Sequence, residues 1–107
     1  MPAYLGEFEQ LVLLAILRLG DEASGAAIRQ TIEDGTGRTV WIGAVHTTLD
    51  RAITKGLVRA RAVEPTSPGA RRRKVYALEK AGQTALGHAY DTWTRMTRGL
   101  KPKLESM

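Results

Sequence analysis

Apolar side chains recur between Phe8 and Leu19 too densely for a single helical stripe. At about 100° per residue, Phe8, Leu11, Val12, Ala15 and Leu19 share one side of a helix, while Leu13, Leu14 and Leu17 point elsewhere. The pattern predicts a first helix over Phe8 to Leu19, stopped by Gly20, with more apolar surface than one small domain covers. A second helix follows from Gly25 to about Asp34, capped by Ser24 and ended by Gly35 and Gly37. It turns Ile28 and Ile32 inward and Arg29, Gln30, Glu33 and Asp34 outward. Val40 and Trp41 read as a short strand or bridge. A third helix runs from Gly43 to about Lys55 and stops at Gly56, with Val45, Leu49 and Ala52 or Ile53 inward and His46, Thr47, Thr48, Arg51 and Lys55 on the other face.

At Leu57 the period changes to two. Val58, Ala60 and Ala62 are expected to point inward and Arg59 and Arg61 outward. Pro65, Pro68 and Gly69 turn the chain within Glu64 to Ala70, and RRRKVYAL returns as a second strand with Tyr76 and Leu78 on one face. A last helix, interrupted near its start by Gly82, is expected from Lys80 to Gly99 and should end at the Lys101–Pro102 step. The order predicts a mainly α fold with a small β-hairpin (α+β), a winged helix-turn-helix with a C-terminal dimerisation helix. The expected divisions are a winged helix domain over residues 1–79, a dimerisation helix over 80–100 and a flexible tail over 101–107.

Charge sharpens this picture more than length does. The 107 residues carry a net charge of +5, and one modest core is what that length allows. Residues 38–80 hold ten basic and three acidic side chains, whereas residues 1–37 hold two basic and six acidic. A polyanion would therefore meet the middle segment first. The absence of cysteine excludes disulfides and thiolate chemistry. The acidic N-terminus does not resemble a signal peptide, and the apolar run Leu11–Leu17 is too short to span a bilayer, so a cytoplasmic protein with no membrane partner is expected. His46 and His88 fall on different helices, the serines sit in caps, loops or the tail, and no phosphate-binding glycine motif is present. Neither catalysis nor a metal or other cofactor is expected.

Double-stranded DNA is the partner that these features select. Gly43 and Ala44 would let the third helix approach closely, and its N-terminal amides suit a phosphate. His46, Thr47 and Thr48 are short enough to lie against base edges, and Arg51 would reach guanine or phosphate. Arg38 and the wing residues Arg71, Arg72, Arg73 and Lys74 would make positioning contacts. Asp50 would repel phosphate and is expected to orient a basic neighbour, and Trp41 to be a packing residue. The competing reading is a winged helix that assembles proteins and reads no DNA.

The surplus apolar surface predicts self-association. The first helix (Phe8, Leu13, Leu17) and the last (Leu86, Tyr90, Trp93, Met96, Leu100) are expected to form a homodimer interface; the alternative is that they pack on each other within one chain. Trp93, its symmetry mate and Tyr90 could also line a pocket for a flat hydrophobic or aromatic effector.

Residues 5–86 resemble the PadR family of bacterial transcriptional regulators. The resemblance rests on LGEFEQLVLLAIL, on IGAVHTTLDR with KGLV after it, and on RRRKVYAL followed by AGQTAL. It implies a winged helix-turn-helix, dimerisation through a C-terminal helix, and repression of nearby genes relieved by a small molecule. Three positions depart from the pattern. His46 stands where tyrosine is usual at the DNA surface, Ala52 where a larger apolar residue is usual, and Glu79 where threonine usually caps the last helix.

Overall fold

The computed structural model describes residues 4–106. Four main helices and one hairpin follow in order: α1 (Glu7–Leu19), a 3-10 turn (Gly20–Glu22), α2 (Gly25–Thr36), α3 (Ile42–Thr54), β1 (Val58–Val63), β2 (Arg73–Leu78) and α4 (Lys80–Thr97). The Ser24 hydroxyl accepts from the Ala27 amide and starts α2 as expected. The helix passes through Gly35, however, and stops at Gly37, which takes the left-handed conformation (φ 73°) and donates its amide to the Glu33 carbonyl.

Val40 and Trp41 form no strand. The Val40 amide donates to the Glu33 carboxylate at 2.9 Å, and Trp41 caps α3 in extended backbone. Glu33 also receives Arg29, so one side chain ties α2 to the loop that aims α3.

The hairpin is antiparallel, with Val58 opposite Leu78 and Val63 opposite Arg73. The Tyr76 amide donates to the Ala23 carbonyl at 2.9 Å, which joins β2 to the entry of α2. Only the base of the hairpin reaches the core. Val58, Val75 and Tyr76 are buried, but Ala60 and Ala62, expected inside, are exposed because the outer half projects beyond the domain.

The core gathers Val12, Leu13, Ile16, Ile28, Ile32, Val45, Leu49, Ala52, Leu57 and Leu86 from α1 to α4. Two residues expected at a dimer surface, Leu13 and Leu86, are thus buried inside the chain itself. α1 is clasped between α2, α3 and α4, so its core face is wider than one stripe. Gly82 is no interruption of α4 but its closest point of approach. A Cβ there would overlap the carbonyl oxygen of Leu57, which already accepts from the Glu79 amide. Glu79 caps the helix without a side-chain hydrogen bond.

One polar contact enters this core from its edge. The ammonium of Lys55, at the end of α3, donates to both carboxylate oxygens of Glu9 at 3.1 and 3.0 Å, and the Glu9 side chain is only 10% exposed. Lys55, expected on the free face of α3, is instead an anchor to α1. Lys55→Met should leave that carboxylate without its partner and cost about 1–3 kcal/mol, toward the lower end because Lys55 is half exposed. An unchanged urea midpoint would show that water already replaces the bridge.

The last helix ends at Thr97, earlier than expected, and Gly99 (φ 77°) turns the chain. Lys101–Glu105 then form a five-residue α5 with Pro102 in its first turn and no buried residue. It falls in the segment expected to be a flexible tail, whose last residue, Met107, lies outside the described residues, as do residues 1–3.

Candidate nucleic-acid interface

The core face of α3 carries Val45, Leu49 and Ala52. On the opposite side Gly43, Thr47, Asp50 and Thr54 follow one line, all exposed, with His46 on one flank and Ala44 and Arg51 on the other. Thr48, expected among the outward residues, is half-buried because its position turns toward the core.

His46 is exposed, and its ring lies over the start of α2. A Cβ on Gly25 would come within 2.9 Å of the His46 Cε1, so glycine at that position lets α2 and α3 close together. Tyr76, in β2 at the base of the hairpin, is buried. Burial pushes its phenol up from the ordinary value, and the charge of Asp50 adds to the shift.

The basic run at the wing is divided. Arg71 and Arg72 lie in the loop, whereas Arg73 and Lys74 open β2 and face opposite sides of it. Arg73 shares its side with Arg61 and Val75 and pairs with Glu22 at 3.1 Å. Lys74 shares the side of Ala62 and Tyr76. Arg72 pairs with Glu64 at 2.8 Å, and Arg38, in the loop before α3, pairs with Glu7 at 3.0 Å.

These three pairs are exposed, and such pairs contribute about 0–1 kcal/mol, so a phosphate can displace the carboxylates. Among the described residues Arg51, Arg61, Arg71 and Lys74 have no ion-pair partner. Arg61 is an addition to the expected set; its outward alternation in β1 was the available signal. Trp41 is a second addition. Expected to pack, it is 78% exposed at the mouth of α3.

A hairpin beside a helix that presents a shallow polar line is the arrangement of a winged helix-turn-helix. The sequence matches the transcriptional regulator PadR-like family over residues 13–88, more than half of the chain. The chain belongs to the PadR-like family. Solved structures of family members share this fold. A PadR family regulator from hypervirulent Clostridium difficile R20291 superposes with a TM-score of 0.74 at 22% identity, covering 91% of this chain and 98% of that one. A PadR-like regulator from Bacillus cereus gives 0.71 at 18% identity, covering 91% and 90%. Bacillus subtilis PadR, solved in complex with operator DNA, gives 0.63 at 20% identity, covering 78% of this chain and 47% of that one. At such identities the shared property is the fold. No curated protein matches the sequence.

The second candidate surface of this PadR-like chain lies at its other end. The stripe that buries Gly82, Ala85 and Leu86 continues along α4 through Trp93 and Met96, which are 61% and 72% exposed. Tyr90 beside it is 70% exposed, and Leu100 beyond the helix end is also exposed. On α1, Leu17 is 58% exposed and Leu14, absent from the expected set, is exposed as well, while Phe8 is half-buried against the core. A cleft of about 120 Å³ opens between the N-terminal segment, α1 and α4, lined by Leu5, Gln10, His88, Thr92 and Trp93 among others. Sites for drug-sized ligands run to about 300–1,000 Å³, so this chain alone supplies only part of one. Among the described residues no group of acidic or histidine side chains could hold a metal ion, and no helix is long and apolar enough to cross a membrane.

Proposed function

We propose that this PadR-like protein is a homodimeric DNA-binding repressor. The observation that carries the reading is the outward line of α3, small and free of bulk at Gly43 and Thr47, beside a hairpin whose Arg71 and Lys74 have no carboxylate partner among the described residues. The third helix enters the major groove. His46, Thr47 and Arg51 meet base edges, and Arg38, Arg71, Arg72, Arg73 and Lys74 meet phosphates. The operator complex of Bacillus subtilis PadR supports DNA as the partner of this fold.

Two features support a second copy as the cover for α4. The exposed surface is 7760 Å², against roughly 5,900 Å² for a compact monomer of this mass. The radius of gyration is 15.8 Å, against roughly 13 Å for a globular chain of this length. Both excesses fit a helix that projects with its apolar stripe uncovered. Residues 80–100 are thus read as the dimerisation segment, with Leu17, Tyr90, Trp93, Met96 and Leu100 in contact. Twofold pairing places two copies of α3 on half-sites about one helical turn apart, roughly 34–36 Å. Trp93→Glu should convert the protein to monomer in sedimentation velocity at micromolar concentration. A monomeric parent protein would end the dimer assignment.

Pairing would also enclose the cleft at Trp93, where a flat hydrophobic or aromatic effector could stack and relieve repression by changing the spacing of the two reading helices. Affinity for a short duplex should fall steeply as salt rises. No measurable affinity for the duplex even at low salt would favour a winged helix that assembles proteins.

A further inference from the structure

The outward line of α3 has a carboxylate near its middle. Asp50 is exposed, one turn beyond Thr47 and beside Arg51, and among the described residues it pairs with no basic side chain. It was expected to orient a basic neighbour. Neither Arg51 nor Lys74 forms an ion pair with it, and Lys55 is taken by Glu9. Its backbone carbonyl accepts from Thr54, but that contact does not involve the carboxylate.

An unpaired carboxylate on a surface that meets a polyanion is repulsive unless the duplex offers it a donor. In the major groove, donors are the exocyclic amines, and cytosine N4 is the usual partner of an acidic side chain. Adenine N6 lies beside the N7 acceptor, which a carboxylate would oppose. Aspartate is short, so it reaches a base edge only if the helix backbone lies close. Gly43 and Thr47, on the same line, leave room for that approach.

We propose that Asp50 is a specificity-determining residue whose carboxylate accepts a hydrogen bond from the N4 amine of one cytosine in each half-site. Where cytosine is absent, the same charge repels the duplex, so one side chain both rewards the correct base and penalises the wrong ones. The inference rests on the DNA-binding reading above.

The test is selection from a random duplex library with the full chain, carried out in parallel for the parent protein, Asp50→Asn and Asp50→Ala. Affinities for the selected site and for an unrelated duplex are then measured at fixed salt. The parent protein should require cytosine at one position of each half-site, with about a tenfold or greater loss on its replacement. Asp50→Ala should lose that requirement while binding the unrelated duplex more tightly. Asp50→Asn, which can donate as well as accept, should shift the preference toward adenine. Identical selected sites and discrimination for all three proteins would overturn the role of Asp50 and leave DNA binding intact. Failure of the parent protein to enrich any sequence would overturn the DNA reading, and this inference with it.

Discussion

Replacing Arg71 and Lys74 together by alanine should weaken binding to an operator-length duplex by about tenfold to a hundredfold near 0.15 M salt. These two side chains have no carboxylate partner among the described residues, so in the proposed reading a contact with phosphate would displace only water and counterions. Each phosphate neutralised contributes about −0.9 to the slope of log affinity against log salt. In a dimer four contacts would be lost, and the slope should become shallower by roughly 3–4. The measurement is fluorescence anisotropy over a salt series. Removing Arg72 and Arg73 should cost less, because each must first leave Glu64 or Glu22 before it meets a phosphate. An Arg71/Lys74 double variant with unchanged affinity and slope would take the wing out of the interface. Equal losses for the two double variants would show that the carboxylate pairs do not restrain the arginines.

Gly82→Ala should produce the largest loss of stability of any glycine-to-alanine change among the described residues. The new Cβ would overlap a backbone oxygen rather than a side chain that can swing aside. The Leu57 carbonyl also accepts the Glu79 amide that starts α4, so moving it disturbs the helix start and the hairpin base together. Overpacking of this kind costs about 3 kcal/mol, the upper part of its usual range. For a domain of this size that corresponds to a melting temperature lower by roughly 10 °C or more. Gly87→Ala is the control on the same helix. Gly87 is exposed with no neighbouring atom near its missing Cβ, so alanine should stabilise by about 0.5–1 kcal/mol through helix propensity. Melting curves for the two variants should therefore move in opposite directions. A Gly82→Ala protein that melts with the parent would mean that α4 can slide away from Leu57 at little cost.

Surface and stability are separable here because the elements that meet DNA in the proposed reading contribute little to the core. Apart from Val75 and the half-buried Val63, the hairpin beyond Val58 and Tyr76 is exposed, and so is the outer line of α3. Substitutions there should leave folding nearly unchanged, which makes losses of duplex affinity interpretable. The opposite holds at Glu9 and Lys55, where a half-buried ion pair fixes α3 to α1.

Much of this arrangement was legible in the chain before folding. The order of helices and strands, the Ser24 cap and the apolar sides of α2 and α3 depend on residues within about four positions of one another, where local geometry governs. The family follows from the same local motifs. The misjudged burials have a common origin in long-range packing. Leu13 and Leu86 were placed at a dimer surface because a helical wheel shows direction and not what lies in that direction. Ala60 and Ala62 alternate correctly but project past the end of the core, a matter of where the hairpin stands and not of its period.

Ion pairing lay even further from reach. Arg38 meets Glu7 across 31 positions, Lys55 meets Glu9 across 46, and Arg73 meets Glu22 across 51. Composition counts such charges but cannot pair them. By itself the sequence determined the elements, the family and the excess of basic residues in the middle segment, because each is a sum of short-range preferences. Only the tertiary structure decided which of those bases stand unpaired, which leucines face inward and that Asp50 faces outward without a partner. Those outcomes depend on which surfaces folding brings within a few ångströms of one another.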